Sequence, residues 1–370
     1  MHRRSNSRRS DKARLIIQIG PDPAAQGGIA AVLGTYASYQ AGFEELGYRH
    51  IFISSCGVSG GGRVGRFIGA WFRFVWLTLF DDVHLVHIHS SIKGSLLRKS
   101  VFALTCQLLC RKYVIHVHSG AFLSYYESLL RPARTIVRLI VRGAICVICL
   151  SENSRKQFIS SKLTTAEKCR IVYNGITDPL GECSDQRAES LQVVITFLGK
   201  LSESKGLLTL LQALAALPQS DMRYTLCVGG AGDVSAFDDW VKVHGLTDRV
   251  VFKGWVAGDV KARLLADTQI FVLPSHSEGF PVAVVEAMAF GTAIVSTQIP
   301  GVIDAIRSGQ DGLLVIPGDR DGLRDALWQL LNDSALRERL GASARQRFLD
   351  RFTMQQTALH LASVYDGVTL

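Results

Sequence analysis

The sequence predicts an α/β protein made of two doubly wound halves, and three observations point there. Short β-branched runs alternate with longer stretches of helical length, as parallel strands joined by crossover helices do. At 370 residues the chain is too long for one ordinary core and suits two domains. Near its middle, residues 176–190 (ITDPLGECSDQRAES) lose apolar character and gather turn formers, which marks a linker.

The strand candidates of the first half are RLIIQIG, HIFISS, VHLVHIHS, KYVIHVHS, AICVICLS and RIVYNG, separated by helical segments such as 94–111. Those of the second are VVITFLG, YTLCVGG, VVFKG, QIFVLPS, AIVS and GLLVI. A last helix, about 354–367, has no strand after it. Both halves open with a strand, a glycine turn and a helix, at Gly27-Gly28 and at Gly199/Gly206. The expected division is a first domain at 13–176, a linker at 177–190, a second domain at 191–350, and a segment 351–370 packing back toward the first domain. Ligands of such sheets bind beyond the carboxyl ends of the strands, which directs attention to the cleft between the halves.

Composition narrows the partners. The chain is 48% hydrophobic and 20% charged, the balance of a folded protein, and its net charge of +9 favours an anionic partner. Nucleic acid is not expected, because the basic residues gather at the tail and one helix without a nucleic-acid motif. The eight cysteines are scattered, and Cys146-x-x-Cys149 lies within an apolar strand pattern, so a packed core in a reducing, cytoplasmic setting is expected. The basic N-terminus has no apolar segment behind it and does not read as a secretory signal. The greasiest stretch, 67–80, is interrupted by Arg73 and falls short of the roughly 20 residues that span a bilayer.

Four places carry candidate chemistry. In SHSEGFPVAVVEAMAFG, Glu278 precedes a helix expected over 281–290, with Pro281 in its first turn and Gly291 closing it. Glu286 lies on that helix among apolar residues, about 7.5 Å along from Pro281. Backbone N–H groups at Gly279, Phe280 and Val282 would face the cleft with the positive end of the helix dipole. The two carboxylates would hold hydroxyl groups of one ligand, or Glu286 pairs internally with an arginine. In FLGKLSESKG, Gly199, Lys200 and Lys205 suit a diphosphate, or the lysines are simply solvated. Gly27-Gly28 is either an anion cradle at a helix start or a plain tight turn. His89 and His118 each end a strand at the rim, where histidines serve in sites or in structure, and His116 shares a strand face with His118. VGGAGD lacks the full dinucleotide pattern, no G-x-S-x-G elbow is present, and no Cys/His spacing suggests a metal.

Taken together these stretches resemble the retaining GT-B-fold glycosyltransferases of family 4, glycosyl transferases group 1. EGFPVAVVE matches their E-x7-E motif, FLGKLSESKG their donor loop, and VYNGI their interdomain hinge. GPDPAAQGGIAAV, VHIHSSIKGSLLRKS and HVHSG resemble bacterial members that build surface polysaccharides. The likeness runs over about 13–350. It implies two Rossmann-like domains facing across a cleft, with Glu286 on the ribose of a nucleotide sugar and Glu278 beside the sugar. Lys200 and Lys205 would neutralise the diphosphate, supported by Gly27 and Gly28, with Gly254 and Trp255 beside the base. His118 would contact the transferred sugar; His118, Glu278 and Lys205 form the implied catalytic set, without metal or cofactor. Lys200 stands where the family usually has arginine, which keeps the charge but loses the bidentate grip.

The implied acceptor is a glycan or a polyprenyl-diphosphate-linked sugar, in exopolysaccharide, capsule or O-antigen assembly. The aromatic, basic helix 63–80 and the arginine-rich tail (Arg3, Arg4, Arg8, Arg9) suit contact with the anionic cytoplasmic face of an inner membrane, unless the helix is buried against the sheet. A GT-B nucleotide-sugar epimerase and a non-catalytic nucleotide-sugar-binding subunit are the competing expectations.

Overall fold

The computed structural model describes residues 13–25, 27–55, 62–181, 192–218 and 224–367, apart from the Arg63 side chain. Two six-stranded parallel sheets make up the molecule. The first has strands β1 (Arg14–Gly20), β2 (Tyr48–Ser54), β3 (Val83–Ser90), β4 (Tyr113–Val117), β5 (Cys146–Cys149) and β6 (Cys169–Ile171), in the order β2-β1-β3-β4-β5-β6. The second has β7 (Val193–Leu198), β8 (Tyr224–Gly229), β9 (Val250–Phe252), β10 (Ile270–Leu273), β11 (Ala293–Thr297) and β12 (Leu313–Val315), in the order β12-β11-β10-β7-β8-β9. The expected α/β class and facing Rossmann-like sheets are both present. The halves are not copies, however. One strand lies outboard of β1 and two lie outboard of β7, so the order reverses between β1 and β3 in one sheet and between β7 and β10 in the other.

Helices cover both faces of each sheet, which is why β1, β4, β5 and β10 read as nearly unbroken apolar runs. Cys146 and Cys149 are buried in β5. One core fills the second domain, around Phe197, Leu226, Val272 and Met288. The first sheet has two. Ile17, Ile19, Val86, Ile88 and Ile115 point into one core. Ile16, Leu85 and Val114, from alternate positions, point into the other, beneath Leu33 and Tyr36.

That second core is completed from the far end of the chain. The helix Met354–Asp366 contributes Met354, Ala358, Leu361 and Tyr365 to it. The chain leaves the first domain and returns at one point, where Ile176 and Thr353 form a parallel bridge. There the Met354 N–H donates to the Ile176 carbonyl at 2.7 Å. Of the expected linker, 177–181 is described and the rest lies outside the described residues.

The aromatic helix Arg63–Phe80 divides its two expected roles between its faces. Phe74 and Thr78 are buried, and the Trp71 indole N–H donates to Thr105 at 3.0 Å. Phe72, Trp76, Leu79 and Phe80 are exposed. Among the described residues no helix is long and apolar enough to cross a membrane. The arginine-rich tail lies outside them.

Candidate functional site

A cavity of about 580 Å³ lies between the carboxyl ends of the two sheets, a size suited to a small-molecule ligand. The first domain supplies the loop after β1 and the start of the helix Gly28–Ser38, with Gly27, Gly28 and Ala31 on the wall. Gly27 caps that helix with no side-chain hydrogen bond, and the Ala31 N–H is already bonded back to the Gly27 carbonyl. The Gly28 amide, ahead of that bond, has no partner in the helix, and Gly28 lies at the cavity.

The second domain presents a matching helix start. Pro281 is the residue capping the helix Val282–Ala289, one position ahead of the first turn expected for it. Val284 and Val285 donate back to the Pro281 carbonyl, so no preceding turn takes the Val282 and Ala283 amides. Phe280, Pro281, Val282 and Ala283 all line the cavity. Two helix N-termini from opposite domains therefore face one space, an arrangement that favours an anion.

Both carboxylates are paired. Glu286 accepts from Lys261 Nζ at 2.5 Å, and Glu278 from Lys205 Nζ at 2.5 Å and from Ser275 Oγ at 2.8 Å. The glutamate side chains are only 16% and 11% exposed, so an unpaired charge at either would be costly. The internal partner of Glu286 is a lysine, not the arginine that sequence reasoning considered. Lys261 lies 25 residues upstream on the helix Gly258–Ala266, and no motif announced it. Lys205 is bound to Glu278 rather than waiting free for a phosphate. Lys200 is exposed on the cavity wall.

Close loop packing holds this mouth together. The Gly199 N–H donates to the Gly229 carbonyl and the Gly230 N–H to the Gly254 carbonyl, linking the ends of β7, β8 and β9. A Cβ on Gly230 would lie 1.7 Å from the Gly199 carbonyl oxygen. The VGGAGD stretch, weak as a dinucleotide signal, thus puts Gly229 and Gly230 on the cavity wall through backbone fit.

Of the sequence-predicted residues, Gly27, Gly28, Gly199, Lys200, Lys205, Trp255, Glu278, Phe280, Pro281 and Glu286 line the cavity. Gly254, Gly279 and His118 do not. Gly279 and His118 meet at the seam between the domains, where a Cβ on Gly279 would come within 2.6 Å of the His118 carbonyl oxygen. His118 is half-buried just past β4, and burial, with nearby Lys99 adding to it, lowers its pKa to about 3. It is neutral across the physiological range.

Alternation in the sequence grouped His116 with His118, and strand pairing adds His87 and His89. Nitrogens of His87, His89 and His116 lie within 4.8 Å of one another. Their ring nitrogens are engaged in hydrogen bonds with each other, Gln18, Tyr365 and His118, except His116 Nε2, which has no partner among the described residues.

Facing parallel sheets, a cleft cavity at their carboxyl ends and two helix N-termini turned toward it define the GT-B class. The family described as "Glycosyltransferase Family 4" matches residues 30–178, and "Glycosyl transferases group 1" matches 184–347; the chain belongs to these GT-B glycosyltransferases. An uncharacterized glycosyltransferase of Methanocaldococcus jannaschii is 25% identical over 67% of this chain and 63% of its own length. The capsular polysaccharide biosynthesis glycosyltransferase CapM of Staphylococcus aureus is 26% identical over 60% and 61%. The chain thus spans less than two thirds of the length of these relatives. Anabaena HepE, crystallised with UDP and glucose, shares the fold with a TM-score of 0.74 at 20% identity, over 96% of this chain and 100% of that one.

Proposed function

We propose that this chain transfers a sugar from a nucleoside-diphosphate donor, UDP- or GDP-linked, to a glycan or polyprenyl-diphosphate-linked acceptor, with retention of anomeric configuration. The observation that carries the reading is the convergence on one cavity of two helix N-termini, Lys200 and Lys205, with Glu286 farther along one helix. In this reading the diphosphate lies between the helix starts, whose dipoles and amides favour charge developing on the leaving group. Lys205 shifts part of its interaction from Glu278 to phosphate oxygen. The ribose diol donates to Glu286, which keeps Lys261 as its counter-charge. The departing phosphate oxygen takes the acceptor's proton, and the lysines and amides do the work a metal ion does elsewhere. Gly254 and Trp255 flank the base, and His118 meets the sugar at the seam. The UDP held by HepE supports a uridine donor, and the likeness to CapM supports surface-polysaccharide assembly.

The test is calorimetric titration with UDP, GDP and ADP, each with and without EDTA, beside Glu286→Ala. Chelator-insensitive binding of one nucleotide, weakened in the variant, supports the donor site. Absence of binding to all three overturns it and favours a non-catalytic assembly subunit. Product from donor and acceptor, rather than an isomerised donor sugar, separates transfer from epimerisation.

A second proposal concerns the acceptor side. The exposed Phe72, Trp76, Leu79 and Phe80, with exposed Arg66 and Arg73 on the same helix, suit the interface of an anionic bilayer at the cytoplasmic face. Co-sedimentation with anionic vesicles that is lost on Trp76→Ser supports it. Equal sedimentation of the two proteins overturns it.

A further inference from the structure

The alternation of β1, β3 and β4 turns one set of polar side chains to the same face of the first sheet. Register places Gln18 beside His87, and His89 beside His116. All four side chains are fully buried under the returning helix, whose Tyr365 is buried with them. Every ring nitrogen of this cluster is hydrogen-bonded except His116 Nε2, where the chain ends, so each link constrains the direction of the next.

The polarity can be followed from the Gln18 amide. Its Oε1 lies 2.7 Å from His89 Nε2 and can only accept, so His89 carries its proton on Nε2. His89 Nδ1 is then an acceptor, and His118 Nε2, 2.9 Å away, must donate to it. On the other side Gln18 Nε2 donates to the Tyr365 hydroxyl at 3.3 Å. Tyr365 donates to His87 Nδ1 at 2.7 Å, and His87 Nε2 to His116 Nδ1 at 3.2 Å. One directed chain therefore joins His118, His89, Gln18, Tyr365, His87 and His116. It gives all four histidines the same tautomer, with the proton on Nε2. Turning over the single Gln18 amide would reverse every bond in it.

We propose that Gln18 and Tyr365 are positioning residues that fix the tautomer of His118 through this chain, so that Nδ1 faces a ligand as a hydrogen-bond acceptor only. The role toward the sugar rests on the glycosyltransferase reading; the tautomer itself does not. The Tyr365 hydroxyl is the acceptor that holds the Gln18 amide in its orientation. Lys99, buried near His89 and His118, disfavours a second positive charge, and burial keeps His87, His89 and His116 neutral as well. His50, buried beside Tyr365, has no hydrogen-bond partner on either ring nitrogen among the described residues and stands outside the chain.

Long-range proton–nitrogen NMR of the full-length, histidine-labelled protein without ligand reads the tautomers directly, with His118→Asn assigning the His118 signals. The expected wild-type pattern is Nε2–H at His118, His89, His87 and His116. Tyr365→Phe keeps the ring and removes the hydroxyl, and should convert His118 to a mixture of tautomers. Gln18→Met removes both the acceptor for His89 and the donor to Tyr365 without adding charge, and should likewise release His118 to a mixture of tautomers. An Nδ1–H signal from wild-type His118, or an unchanged pattern in a folded Tyr365→Phe protein, overturns the proposal. If Tyr365→Phe does not fold, the wild-type pattern and Gln18→Met still decide, and an unchanged Nε2–H at His118 in the latter overturns it. Because no donor is added, failure of the chain is distinct from failure of nucleotide-sugar transfer. With an identified donor, Tyr365→Phe should lower kcat several-fold at unchanged KM, with rate recovered in proportion to the Nε2–H population.

Discussion

On the second domain's side of the cleft, Glu278 and Glu286 carry charge and each is met by a lysine; on the first domain's side, Gln18, four histidines and Tyr365 carry none and are met by one another. Both groups sit toward the carboxyl ends of parallel strands near a reversal of strand order. They differ in depth. The ion pairs line an open cavity, where water and ligand can replace one partner. Apart from half-buried His118 at its end, the histidine chain lies under a helix, where ionisation would leave a charge with neither water nor counter-ion. The charged side is built to exchange partners, and the neutral side to keep them.

The largest expected effect tests that neutrality. Burial lowers His50 and His118 to about 3, and holds His87, His89 and His116 well below the usual 6.5. These folded pKa values lie below the unfolded one, so the unfolded chain takes up protons first as the solution is acidified. Stability is full above about pH 6.5 and falls between there and about 3, by about 1.4 kcal/mol per pH unit for each histidine. Melting at pH 5 should come roughly 10 °C or more below melting at pH 7.5. Equal melting temperatures would erase the contrast between the two sides.

Next comes the charged side. Glu286→Ala should weaken nucleotide binding by about 2–3 kcal/mol, roughly a hundredfold, in calorimetry, with little change in the pH profile of melting. Gly230→Ala forces a methyl into the Gly199 carbonyl and should destabilise the second domain by about 1–3 kcal/mol, seen in denaturant unfolding. The smallest effect belongs to Lys200→Ala. That exposed lysine should contribute about 1 kcal/mol or less to nucleotide binding, and high salt should remove the difference.

What the sequence disclosed follows the same division. The cavity residues of the second domain come from short contiguous stretches, Gly199–Lys205 and Glu278–Glu286, where a strand end, a proline and a helix start are read locally. Lys261 escaped because its helix meets Glu286 only after β10 is laid beside β7. The histidine chain was less legible still. Gln18 and Tyr365 are 347 residues apart, and neither belongs to a motif; only the order β1-β3-β4 and the returning helix bring them together. The aromatic helix left both its expectations open because its sequence serves a buried face and an exposed one at once.

The bridge between Ile176 and Thr353 has a consequence for how this chain can be taken apart. In topology the second domain is an insertion: residues 177–352 leave and re-enter the first domain through neighbouring, hydrogen-bonded backbones. A fragment ending at 176 would expose Ile16, Leu33 and Tyr36 to water, whereas one joining 1–176 to 353–370 by a short tether would keep its lid. Exchange of donor domains between related chains therefore calls for two junctions, one on each side of this bridge, and a single crossover in the linker would pair each first domain with a foreign cover.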